Sequence, residues 1–231
     1  MQRLQRARAS QLARRLQAAS RSRLWLRIEL GLIFFGIPTV VLVCRLSGFR
    51  LPLVPTLLVV CAGIVAMLVR DPHFDRRVLA TLRGLGNESR RVLLFFAVSA
   101  AVLMAYTAWV WPERFLDLPR ERPWLWAMVM VLYPVLSVLP QELIYRVYFF
   151  HRYSRAVGDP RVLLALSAVA FGYVHVLYGA WISVILTLVG GLLFGLTYLR
   201  TRSIWLVSLE HALYGCFLFT VGLGRFFYEA V

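Results

Sequence analysis

The chain has no lysine: all 26 of its basic residues are arginine, and only 11 acids oppose them, for a formal net charge of +15. It also lacks the charged surface of a soluble domain. Charged residues make up 16% of the sequence against 60% hydrophobic, and the mean hydropathy is +0.71, in the range of polytopic membrane proteins. Cysteine is scarce. Cys44, Cys61 and Cys216 lie singly in apolar segments, which argues against a disulfide framework or a thiolate metal site. No His-Glu-x-x-His pair occurs on one helix, no internal repeat stands out, and no stretch reads as a soluble domain. The first apolar run begins only near Ile28 and has no small-residue cleavage site, so no cleavable signal peptide is expected. A strong positive balance often means nucleic acid. Here the arginines fall between apolar runs, as topology signals do, and no nucleic-acid partner is expected.

What the chain does have is seven apolar runs, roughly 28–44, 51–69, 92–111, 124–150, 162–178, 180–199 and 203–222, each near the ~20 residues a spanning helix needs. The expected fold is all-α: a polytopic membrane helix bundle of about seven transmembrane helices over 28–231, preceded by a basic arm over 1–27. The arm carries eight arginines and no acid, which suits a cytoplasmic tail or a helix lying on anionic lipid. Arginines crowd alternate connections: Arg70 to Arg91, then Arg152, Arg155 and Arg161, then Arg200 and Arg202. The opposite connections hold Arg45 and Arg50, then Arg114, Arg120 and Arg122 diluted by Glu113, Asp117 and Glu121. The positive-inside rule therefore predicts a multi-pass plasma (inner) membrane protein with a cytoplasmic N-terminus and an external C-terminus.

Within the fourth run stands Gln141-Glu142-Leu143-Ile144-Tyr145-Arg146. Glu142 and Arg146 are four apart and share a helix face. Each charge in a bilayer core costs a few kcal/mol or more unless paired or hydrated, so the pair should face the bundle interior. It reads either as a packing ion pair or as part of a site. The fifth run adds Phe171 and His175 on one face, and the seventh adds Glu210, His211 and Tyr214. At a rise of ~1.5 Å per residue, Glu142, His175 and His211 lie roughly 16, 21 and 12 Å from the inner ends of their helices, deep enough to share one layer in the cytoplasmic half. The pair Gly190-Gly191 reads as close helix packing through small residues. Tyr145, Tyr173 and Tyr214 are candidate hydrogen-bond donors, although core or interfacial packing is the more ordinary role.

Gln-Glu-x-x-x-Arg, then Phe-x-x-x-His, then a late His on the last core helix resembles the CAAX-protease and bacteriocin-processing (CPBP, or Abi) intramembrane endopeptidases. The resemblance covers about 124–223, a catalytic-like core, and extends to the Gly190–Gly195 stretch with Thr201-Arg202-Ser203. It implies an intramembrane protease acting on a membrane protein or peptide in a lipid bilayer. Gln141 stands where that family has its first Glu, held to activate the water, and Gly215 where it has an Asn. Glu142, Arg146, Phe171, His175 and His211 match. An amide cannot take a proton from water near neutral pH. Three readings follow: Glu142 serves as base, Glu210 contributes a carboxylate, or the protein is a pseudoenzyme.

The reading adopted is an endopeptidase with Glu142 as general base, Arg146 orienting it, and His175 and His211 holding the water or the oxyanion. Gln141 adds an amide, and Phe171, Glu210, Tyr145 and Tyr214 line the site. No cofactor is expected. The alternative is a zinc ion on Glu142, His175 and His211, since two His and a carboxylate form a catalytic zinc set. Outside the enzyme class, the chain reads as a non-catalytic membrane binding or immunity protein, or as a small transporter.

Overall fold

The computed structural model describes residues 22–49 and 51–228. Seven helices among them are long and apolar enough to cross a membrane: α1 Ser22–Leu46, α2 Leu53–Arg70, α3 Asn87–Val110, α4 Pro123–Val157, α5 Pro160–Tyr178, α6 Trp181–Thr201 and α7 Ile204–Val221. The described residues contain no strand, and the protein is an all-α multi-pass membrane bundle. The expectation of an arm-borne surface helix falls mostly on residues 1–21, outside those described. Residues 22–27, expected to belong to the arm, instead open α1.

The fourth helix is the one that positions the site. It runs 35 residues, against the 27 expected, and is not a regular α-helix. Two π-helical segments, Pro134–Val138 and Leu143–Tyr148, flank a single α turn over Leu139–Glu142. Proline accounts for part of this. Pro134 and Pro140 each remove a backbone donor and crowd the preceding turn, so the ladder is rebuilt around them. A π segment re-aims the side chains that follow, and such segments are frequent at functional sites.

The α5 and α6 helices pack backbone to backbone, as the small residues predicted. A Cβ on Gly191 would sit 2.9 Å from Ala168 Cα, and one on Gly172 would sit 3.3 Å from Leu188 Cα. The α5 helix begins on the Asp159 side chain, which caps the N–H of Arg161 at 2.7 Å.

The two ends of the bundle differ. At the arginine-rich end, Arg152 grips Glu29 of α1 with two hydrogen bonds of 2.9 and 2.7 Å. His151 bonds Asp71 just beyond α2 at 2.8 Å. Between this end and the centre lies an aromatic plug of Phe34, Phe149, Phe150, Tyr153 and Tyr198, each no more than 2% exposed. Its rings meet edge to face, with Phe34–Phe149 centroids 4.9 Å apart and Phe149–Tyr153 5.2 Å. At the arginine-poor end, α7 stops at Gly222, whose φ of +95° and contact with the Arg114 carbonyl leave no room for a side chain. Two cavities open towards the centre. One, of about 580 Å³, runs from Arg114, Asp117, Arg122 and Arg225 down to Ser137, Gln141 and His175. The other, of about 400 Å³, is apolar and reaches from lipid-exposed Val102 and Val189 to His175 and His211. Tyr133, His175, Phe219 and Phe227 border both.

Candidate active site

Glu142 is fully buried, and its Oε1 accepts a 2.8 Å hydrogen bond from His211 Nδ1. Its Oε2 lies 3.2 Å from Arg146 Nε, one helical turn on. Arg146 is equally buried. Its Nη1 donates to Ser167 Oγ at 3.1 Å and to the Tyr145 carbonyl at 3.3 Å, and its guanidinium lies over the Phe171 ring at 5.1 Å. The carboxylate is thus buried, hydrogen-bonded by His211 through one oxygen and charge-paired with Arg146 through the other, which has no hydrogen-bond donor.

His211 carries this charge to the cavity. A carboxylate can only accept, so Nδ1 bears the hydrogen and Nε2 is left with its lone pair. That Nε2 lies 3.2 Å from the Tyr133 hydroxyl, and the imidazole stacks on Phe194 with centroids 4.6 Å apart. His175 is set in the same way: its Nδ1 donates to the Phe171 carbonyl at 2.7 Å, fixing an unprotonated Nε2. Phe171 touches both imidazoles, at 4.9 and 5.5 Å between centroids. The two histidines therefore border one cavity wall. Such a carboxylate–imidazole pair beside a second imidazole and a phenol is suited to moving a proton off water and to donating to a developing oxyanion.

Residues 123–217 match the type II CAAX prenyl endopeptidase Rce1-like family. Over this stretch, less than half of the chain, the protein is similar to the CAAX protease family. No curated relative and no solved structure matches the chain. That similarity supports a CAAX-type intramembrane protease in general terms.

Against that family pattern, the position of Gln141 stands out. Gln141, not Glu142, lines the larger cavity; its Nε2 donates to Ser137 Oγ at 2.7 Å, and its Oε1 is buried with no partner. Gly215 borders the smaller cavity, and a Cβ there would collide with the ring and hydroxyl of Tyr133 (2.6 Å to Cζ). Where the CAAX protease pattern has an asparagine, this chain presents the Tyr133 phenol.

The expected site residues do not all reach a cavity. Glu142 was expected to meet the water; it is fully buried, lines neither cavity, and is linked to one through His211. Glu210 and Tyr145 were expected to line the site and border neither cavity. Glu210 turns away towards Thr197, which Arg91 of α3 also contacts at 3.0 Å. Tyr145 packs between Phe34 and Phe171 at 5.4 and 5.2 Å. Tyr173 bonds Thr39 of α1 at 2.7 Å, a packing role. Tyr214 does border the smaller cavity and bonds Ser99 at 2.9 Å, while Phe171 forms its wall. For zinc, no three His, Cys, Asp or Glu side chains among the described residues are grouped to hold a metal. Tyr133, nine residues before Glu142, was missed; only the Tyr-Pro step before a rebuilt turn hinted at it.

Proposed function

We propose that the chain is an intramembrane endopeptidase that hydrolyses a peptide bond of a membrane-associated protein or peptide without a metal. The observation that carries this is the buried Glu142–His211 pair opening onto a cavity that His175 shares. In this reading water sits against His175 Nε2 and the Gln141 amide. His211 Nε2 takes one of its protons as the oxygen adds to the carbonyl carbon. The imidazolium formed is stabilised by Glu142, whose charge Arg146 holds in place. Once His211 Nε2 carries that proton it no longer accepts from Tyr133, and the freed O–H donates to the oxyanion. His211 then returns the proton to the departing amine nitrogen, and the C–N bond breaks. Glu142 and Arg146 act as positioning residues, and the groups that touch the substrate or water are His211, His175, Tyr133 and Gln141.

A second reading stays on one observation: Gln141 occupies the cavity position and cannot accept a proton. If water sits against Gln141 alone, the protein is a non-catalytic binder of membrane peptides. Purified chain in a bilayer disc, given a membrane peptide, separates the two. Cleavage that His211→Gln abolishes supports the enzyme, and cleavage seen only after Gln141→Glu supports the binder. Cleavage lost on chelation and regained with zinc would overturn the metal-free route.

A further inference from the structure

We propose that the site is reached from the non-cytoplasmic face of the membrane, so that the bond presented to it belongs to an external or juxtamembrane peptide segment. Two independent observations carry this. The first is charge. Arg70, Arg76, Arg77, Arg83, Arg90 and Arg91 flank or lie in the connection between α2 and α3. Arg152, Arg155 and Arg161 flank the α4–α5 turn, and Arg200 and Arg202 end α6. The positive-inside rule makes that end cytoplasmic. The second is shape. The aromatic plug closes the site from that end, with Phe149 and Tyr153 wholly buried. The cavity of about 580 Å³ instead opens among residues of the opposite connections, and it continues inward to Ser137 and Gln141.

The mouth has its own chemistry. Arg114, Arg122 and Arg225 meet Asp117 and Glu121 there, a mixed rim that water and an extended polar peptide can wet. Arg225 lies over the rings of Trp111 and Phe226 at 5.1 and 4.7 Å, and none of the three arginines forms an ion pair among the described residues. The smaller, apolar cavity admits the membrane-embedded part of the same peptide from the side, past Val102 and Val189. The two meet at Tyr133 and His175, where the scissile bond would lie. That assignment of the occupant rests on the endopeptidase reading; the direction of access does not.

The test is thiol labelling of full-length chain in intact cells. Cys44, Cys61 and Cys216 are replaced by Ala, and single cysteines are placed at Arg83, Leu118 or Ser137. The probe is a charged, membrane-impermeant methanethiosulfonate. The expected result is complete labelling of Ser137→Cys and Leu118→Cys from outside, with Arg83→Cys labelled only after permeabilisation. Ser137→Cys labelled only after permeabilisation overturns the proposal. So does Ser137→Cys that stays unlabelled on both sides while Leu118→Cys reacts, because the cavity then has no water path. Labelling of Arg83→Cys from outside inverts the topology and overturns it as well. The assay involves no proteolysis. A chain that labels as expected but never cleaves leaves the direction of access standing and removes the endopeptidase.

Discussion

Replacing Glu142 by Gln removes one negative charge and one acceptor from a place where both are in use. His211 Nδ1–H donates to one oxygen of the carboxylate at 2.8 Å, and Arg146 Nε lies 3.2 Å from the other as its counter-charge. A glutamine offers one oxygen and one NH₂. If the oxygen turns to Arg146, the NH₂ faces His211 and selects the tautomer with hydrogen on Nε2, which cannot take a proton. If the oxygen turns to His211, the NH₂ meets Arg146, and a fully buried guanidinium loses its counter-charge. Breaking a buried pair in this way costs about 3–5 kcal/mol of stability, and losing a general base costs about 10²–10⁴-fold in rate. The two effects separate in the double variant Glu142→Gln, Arg146→Met, which removes the orphaned cation. It should recover most of the lost thermal stability in detergent and remain inactive on a membrane peptide. A double variant that folds and cleaves like the wild type would take Glu142 out of the chemistry and leave it as half of a structural ion pair.

Other consequences follow from the same geometry. Tyr133→Phe keeps the ring that fills the space beside Gly215 and removes only the hydroxyl; kcat should fall about 10²–10³-fold with little change in KM, and an unchanged kcat would take Tyr133 out of the chemistry. Gly215→Ala drives a methyl into Tyr133 and should lower stability by about 1–3 kcal/mol in a melting experiment, with partial recovery when Tyr133→Ala makes room. At the arginine-rich end, the hydrogen bonds from His151 and then from the His73 N–H hold the Asp71 carboxyl down at about 2. A depressed carboxyl stabilises above its unfolded value and loses that contribution as pH falls through the folded one. Asp71→Asn should therefore be less stable than wild type at neutral pH, with the gap closing only as pH falls from about 4 towards about 2. A gap that does not change with pH would mean that the Asp71–His151 contact is not ionic.

Much of this architecture was readable in the sequence, for physical reasons that can be named. Spanning helices must satisfy their own backbone in lipid, so apolar runs locate them well. The helix ends were less legible. The fourth helix extends to Val157, past the apolar run, because His151 and Arg152 bond Asp71 and Glu29 there while Tyr153 and Ala156 stay buried. Which way a helix is rotated was the harder problem. Glu210 and His211 are adjacent, and only packing decides that His211 turns to Glu142 while Glu210 turns to Thr197. Tyr133 shows the limit most clearly. At ~100° per residue the nine positions to Glu142 would put the two on opposite faces of a regular helix. The intervening π segment changes that winding, and both come to touch His211. Gln141 and Glu142 are the converse case: neighbours in sequence, one faces the cavity and the other is sealed behind His211.

The most direct test of the central claim is cleavage by the purified full-length chain in bilayer discs, with a membrane peptide as substrate and mass spectrometry of the products. Wild type should release two fragments, and His211→Gln should release none while melting at a similar temperature. An inert wild type that gains activity only as Gln141→Glu would contradict the account, because the base position would then belong to Gln141, and the Glu142–His211 pair would be scaffolding.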